Sequence, residues 1–177
     1  MKEKTETNPM TKVKSNPRRL LNQGAHMSTD VTKSRISEDE NDIRALLDER
    51  VKAVRVKDIN GAVAGSAPDI LSFDVVNPLQ YAGSNALKKR VENWFSSFEG
   101  PIGYEIFDLT ITAGNDVAFS HSFNRVIGTT TDGKKIEMYW RATVCYRKID
   151  GKWMVMHEHN SVPFDPENGK ASLNLKP

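Results

Sequence analysis

The sequence predicts an α+β domain in which a curved antiparallel sheet wraps around helices that precede it. Two features point to it. Apolar residues recur at helical spacing between residues 37 and 98, then alternate with polar ones from residue 102 onward. The turn dipeptides Asn115-Asp116, Asp132-Gly133 and Asp150-Gly151 divide the alternating half into runs 102–113, 117–128, 136–149 and 153–162. Helices first and a meander afterwards is the order of an α+β fold, and the simplest packing lays the sheet over the helices.

With 177 residues, 38% of them hydrophobic and 27% charged, the chain has the composition of one soluble globular domain. Its charge is unevenly placed. Residues 1–27 hold six Lys/Arg against two Glu, a balance of +4, which leaves −2 for the remaining 150 residues of a chain whose net charge is +2. The folded part is therefore no basic nucleic-acid surface, and no nucleic-acid partner is expected. Residues 1–35, polar, basic and interrupted by Pro9 and Pro17, are expected to form a disordered leader. A folded domain is expected over 36–165 and a tail over 166–177. No apolar run approaches the roughly 18 residues of a membrane span, and Leu20-Leu21 is too little for a signal-peptide core. The expectation is a cytoplasmic protein without a membrane partner. The single cysteine, Cys145, rules out an intrachain disulfide, and its apolar run predicts a buried structural thiol.

The elements follow in order. Ser37 with Glu40 three residues on forms a capping box, and Ile43, Leu46, Leu47, Val51 and Val54 continue at helical spacing. Arg50 falls on the same stripe, at i+7 from Ile43. It reads equally as a snorkelling arginine or as a cation reaching a polar interior site. "DINGAVAGSAPD" predicts a second, short helix ending before Pro68, and "ILSFDVVNPLQYAG" a strand, a turn at Asn77-Pro78 and a short return. Asp74, closing an apolar run, suits either a surface turn or a pocket. Ser84 is placed to cap a third helix with the stripe Leu87, Val91, Trp94, Phe95 and Phe98, which Gly100-Pro101 ends.

Alternation fixes which residues of a strand share a face and leaves open which face looks inward. Ser120, Ser122 and Asn124 lie together, opposite Phe119, His121 and Phe123. Arg141, Thr143 and Cys145 oppose Trp140, Ala142, Val144 and Tyr146. In the last run Trp153, Val155, His157 and His159 share one side, and Met154, Met156, Glu158 and Asn160 the other. The His157-x-His159 pair, with His121 as a third ligand, is a weak alternative metal site. Glycine elbows, phosphate-cradling loops and RNA-binding aromatic motifs are absent from the sequence, and no organic cofactor is expected.

At "WRATVCYRKIDGKWMVMHEHNSVPF", taken with the helical first half, the chain resembles the SnoaL-like branch of the nuclear transport factor 2-like superfamily. That group includes steroid delta-isomerases, polyketide cyclases and the association domain of calcium/calmodulin-dependent kinase. The resemblance runs from about Ser37 to Phe164. It implies a cone-shaped barrel of sheet and three helices around a central pocket, in a homodimer. It also implies roles. Asp74 matches the isomerases' catalytic base, while Arg50 and Arg141 stand where those enzymes keep the neutral donors of an oxyanion hole. Asn124, Thr143 and Asn160 match pocket arginines of the association domain. By the same resemblance Glu158 faces the pocket and both histidines face away.

Two function classes follow. One is a small-molecule pocket protein, with or without isomerase or cyclase activity. Asp74 would be its base, and Arg50 and Arg141 would hold an anionic or enolate oxygen. Tyr81, Trp94 and Met156 would supply an apolar wall. Two arginines would also make Asp74 a poorer base for a C–H proton, which weighs against steroid isomerase activity. The other class is a non-catalytic dimerisation or ligand-sensing module, with Trp140, Val144, Tyr146 and Trp153 forming an outward interface. The plainest reading leaves Asp74, Arg50, Arg141 and Glu158 as an internal ion-pair network.

Overall fold

The computed structural model describes residues 25–177, with side chains described from residue 38 onward. The leader expected over 1–35 lies outside the described residues as far as residue 24. From Ala25 the chain is helical: α1 spans Ala25–Arg55, so the start expected at Ser37 falls inside a longer helix. α2 (Ile59–Val63) is capped by Asp58, whose carboxylate accepts from the Gly61 N–H at 3.1 Å. α3 covers Ser84–Ser96. Its cap is Gly83 at φ 83°, a conformation that favours glycine, and Ser84 is its first helical residue rather than its cap.

Six strands form one sheet in the order β2-β1-β6-β5-β4-β3: β1 (Ser66–Phe73), β2 (Tyr81–Ala82), β3 (Phe98–Ala113), β4 (Val117–Thr130), β5 (Lys135–Ile149) and β6 (Lys152–Ser161). β3 to β6 form the expected antiparallel meander, and β1 joins β6 in parallel. The sheet is curved and unclosed, with β2 and β3 at its edges, where a barrel was expected. Two irregularities in β3 account for much of the bend. Gly100 (φ 68°) and Asp108 (φ 50°) stand at the two places where its register against β4 shifts. Gly100-Pro101 therefore bends a strand that has already begun, instead of ending α3.

The concave face holds the core. Ile43 and Leu47 of α1 meet Ile70, Val144, Tyr146, Trp153 and Val155 in one cluster. Val54, Val91, Phe95, Phe98, Ile102, Tyr104 and Val126 form a second. Ile43 and Ile70 are fully buried, and each such side chain contributes about 2 kcal/mol. Burial settles which faces look inward. On β5 the inner residues are Trp140, Ala142, Val144 and Tyr146, while Arg141 and Thr143 are exposed. The outward interface expected at Trp140, Val144, Tyr146 and Trp153 is thus overturned: those residues are inside. Cys145 lies half-buried on the outer side, not in the core. Among the described residues no helix is long and apolar enough to cross a membrane.

One extra residue changes the last strand. Tyr146 pairs with Val155 and Cys145 with His157, so Met156 is a bulge with no partner on β5. The bulge shifts the phase of the strand. Trp153 and Val155 face inward before it, Glu158 and Asn160 after it, and strict alternation would have placed those pairs on opposite faces.

Candidate active site: a cavity between helices and sheet

Between the two core clusters lies a cavity of about 200 Å³. α1 contributes Leu47, Arg50 and Val54 to its wall, and α3 contributes Leu87, Arg90, Val91 and Trp94. The sheet adds Tyr104 and Ile106 from β3, Ser120 to Val126 in alternation from β4, Met138 to Val144 in alternation from β5, and Glu158 and Asn160 from β6. Asp74, Val75 and Val76, just past the end of β1, also line it. Val76 is exposed and marks the mouth. Most of the wall is apolar or aromatic. The Tyr104 ring centroid is 6.1 Å from that of Trp94 and 5.9 Å from that of Trp140.

Two ion pairs are built into this wall. Arg50, one helical turn beyond Leu47, reaches across to β6, and its Nη1 donates to Glu158 Oε2 at 2.8 Å. The other carboxylate oxygen accepts from the buried Ser72 hydroxyl at 2.9 Å, because Ser72 stands opposite Glu158 in the β1–β6 ladder. Burial pushes the Glu158 carboxyl up, but the Arg50 charge and the hydrogen bonds from Arg50 and Ser72 outweigh it and hold the group below the usual carboxylate range. Glu158 in turn raises the Arg50 guanidinium. The second pair joins Arg90 Nε to Asp74 Oδ2 at 2.6 Å, and the Val75 N–H donates to Asp74 Oδ1 at 2.6 Å.

Neutral polar groups form chains. Ser122 Oγ donates to Asn124 Oδ1 at 2.9 Å, and Asn124 Nδ2 to the Tyr104 hydroxyl at 3.0 Å. Trp140 Nε1 donates to Asn160 Oδ1 at 3.0 Å. Ser120 and Tyr146 share a hydrogen bond of 2.9 Å beneath the floor. Burial pushes both tyrosines up, Tyr146 to about 12.

Of the residues expected at the site, Asp74, Arg50, Trp94, Asn124, Glu158 and Asn160 line the cavity. Four do not. Arg141 and Thr143 point outward because directly opposed residues share a face, and Arg141 pairs with Phe123 and Thr143 with His121. Met156 is the bulge residue, and Tyr81 bonds its hydroxyl to the Asn77 carbonyl at 2.9 Å outside the cavity. The expected network of four charges therefore resolves into two pairs, with Arg90 in place of Arg141. The histidines do not assemble as metal ligands. His121 is exposed, His157 Nδ1 donates to the Leu71 carbonyl at 2.8 Å, and the ring of His159 packs edge-on to Phe73. No group of three or more His, Cys, Asp or Glu among the described residues could hold a metal ion. Arg90 and Tyr104 went unnoticed in the sequence. Arg90 is three residues from Leu87 and four from Trp94 on the α3 stripe, and Tyr104 alternates with Ile102 and Ile106.

A family model described as a SnoaL-like domain matches residues 43–165. Among solved structures, an NTF2-like protein of unknown function from Pseudomonas putida is 39% identical, over 80% of this chain and 98% of its own, with a TM-score of 0.73. A ketosteroid isomerase-like protein from Erwinia carotovora is 21% identical over 70% of this chain and 95% of its own, with a TM-score of 0.61. An NTF2-like superfamily protein from Salmonella enterica is 13% identical over 76% of this chain and 98% of its own, with a TM-score of 0.66. The last two share the fold alone. No curated protein matches.

Glu158 predicts an acid response. Its folded-state carboxyl titrates below its unfolded value, so its contribution to stability is complete above the unfolded pKa of about 4.3 and is lost as pH falls through the folded value. Denaturant unfolding between about pH 6 and pH 3 should show a shallower loss of stability for Glu158→Gln than for the wild type. Equal slopes would contradict the pairing.

Proposed function

Because this chain belongs to the SnoaL-like domain family, we propose that it is a pocket protein whose cavity takes an uncharged, largely apolar small molecule. One observation carries this reading. The four ionised side chains on the cavity wall close on one another as two pairs, Arg50 with Glu158 and Arg90 with Asp74, and their charges cancel. An anion would gain little from guanidinium groups already paired and would still lose its own hydration. An apolar ligand meets Trp94, Tyr104, Trp140 and the aliphatic side chains around them. The anionic or enolate oxygen expected on Arg50 and Arg141 gives way on this reading to a neutral ligand. Tetralin, an uncharged bicyclic hydrocarbon, should quench tryptophan fluorescence with a dissociation constant on the order of 100 µM. Trp94→Phe should reduce the signal. Absence of saturable quenching by tetralin, and by its ketone, would refute the proposal.

A second reading adds catalysis of the isomerase or cyclase type without an organic cofactor. It is favoured by Asp74, a carboxylate 15% exposed on an apolar wall. Arg90 and the Val75 N–H fix its two oxygens, and each oxygen keeps a lone pair for a substrate proton. Asp74 would be the base and Arg90 the residue that positions it. Exchange of the protons α to the carbonyl of 1-tetralone in heavy water, followed by NMR, should be faster with protein than in buffer and fall to the buffer rate in Asp74→Asn. Exchange at the buffer rate with wild type would leave a binding protein.

The proposal includes a homodimer joined through the outer sheet face. There Val117, Phe119 and Ile127 of β4 are 59%, 47% and 38% exposed, in place of the inward residues first expected at an interface. Light scattering at micromolar concentration should give twice the monomer mass, and Phe119→Lys should halve it. A wild-type monomer would end this part of the proposal.

A further inference from the structure

The neutral hydrogen-bond chains of the cavity have a direction. Indole nitrogen can only donate, so the Trp140–Asn160 bond fixes Asn160 with its oxygen toward the indole. The Asn160 Nδ2 group is then left with its two N–H donors, and no acceptor for them stands among the described residues. The second chain runs from Ser122 through Asn124 to Tyr104. Each group donates to the next, and Tyr104 receives at its oxygen. Its own O–H proton has no acceptor among the described residues, although the residue is 5% exposed and lines the cavity.

We infer that Tyr104 and Asn160 are the specificity-determining donors of this cavity, selecting an apolar ligand that carries a carbonyl oxygen over one that carries none. Chemistry favours an acceptor on the ligand. A buried O–H or N–H without a partner costs more than the net gain of a hydrogen bond made, so a ligand that leaves both empty is penalised. The side-chain acceptors on the wall already have partners within the protein. Both oxygens of Glu158 and of Asp74 receive hydrogen bonds, and Asn124 Oδ1 and Asn160 Oδ1 are taken within the two chains. Burial raises the Tyr104 hydroxyl above its ordinary range and keeps it a neutral donor at neutral pH. The aromatic rings of Trp94 and Trp140 flank Tyr104, so an oxygen on a flat apolar ligand meets the hydroxyl while its body meets the rings. An ester, lactone or ketone has the required pattern, one acceptor and no donor.

This inference rests on the neutral, apolar cavity proposed above, and the test separates the two. The probes are 1-tetralone and tetralin, nearly equal in size and differing by the carbonyl oxygen, titrated calorimetrically into the full chain. Wild type should bind the ketone about tenfold more tightly than the hydrocarbon. Tyr104→Phe removes the donor together with the oxygen that accepts from Asn124 Nδ2, and should cut that preference to about threefold while leaving tetralin affinity unchanged. Asn160→Asp keeps an acceptor for Trp140, removes the N–H donors, and should lower the preference as well. Unchanged tetralin affinity in a variant reports that its cavity is intact, and Asn160→Asp keeps the inference testable if Tyr104→Phe fails to fold. Equal affinities of wild type for the two probes overturn this inference and leave the apolar cavity standing. A tenfold preference that survives in either variant removes that residue from the assignment. Binding of neither probe overturns the cavity reading and this inference together.

Discussion

The ion pair between Arg50 and Glu158 constrains the rest of the molecule. It joins the middle of α1 to β6, and Ser72 extends it to β1, so three elements far apart in sequence meet at one carboxylate. The Glu158 side chain is 6% exposed and that of Arg50 21%. Removing a charge of this kind from water costs several kcal/mol, and breaking such a pair by deleting one partner typically costs about 3–5 kcal/mol. The α1 helix can therefore settle on the sheet in few ways. It must bring Ile43 and Leu47 onto Ile70 and Val144 while holding Arg50 within reach of Glu158. That requirement sets the Arg50–Glu158 pair in the cavity wall, where its two charges cancel.

The remaining polar groups of the concave face follow the same economy. Ser120, Ser122 and Asn124 succeed one another on the inner side of β4, where an ordinary core would place aliphatic residues. Each is satisfied by a neighbour, Ser120 by Tyr146, Ser122 by Asn124 and Asn124 by Tyr104. Satisfied groups leave directional donors at the ends of the chains, against walls that are otherwise aromatic or aliphatic. Such a surface is selective without being charged. It differs from a site in which Arg50 and Arg141 hold an anionic or enolate oxygen, the arrangement expected from the sequence.

Much of the fold was legible in the sequence, and the reasons are local. Turn dipeptides and alternation placed all four long strands, and helical spacing placed the inner stripe of α1 with Arg50 on it. The family resemblance turned Glu158 and Asn160 toward the cavity. What failed depended on partners. Arg141 was assigned to the cavity, yet the identity of its opposite residue, Phe123, decides its face, and cross-strand register is invisible to single-strand alternation. The bulge at Met156 reverses the phase within one strand and has no signature in residue type. Arg90 stood in plain view on the α3 stripe, but a cation among apolar residues reads as a snorkelling side chain until its carboxylate is placed beside it. Only the fold puts Asp74 there.

The central claim is that paired charges make this cavity neutral, and the affinities of two size-matched probes, 2-acetylnaphthalene and 2-naphthoate, test it most directly. Wild type is predicted to favour the neutral ketone by about tenfold or more, and Glu158→Gln, which frees the Arg50 charge, to shift the preference toward the carboxylate. A wild-type protein that binds the carboxylate more tightly would contradict the account, since Arg50 would then be available to an anion despite Glu158.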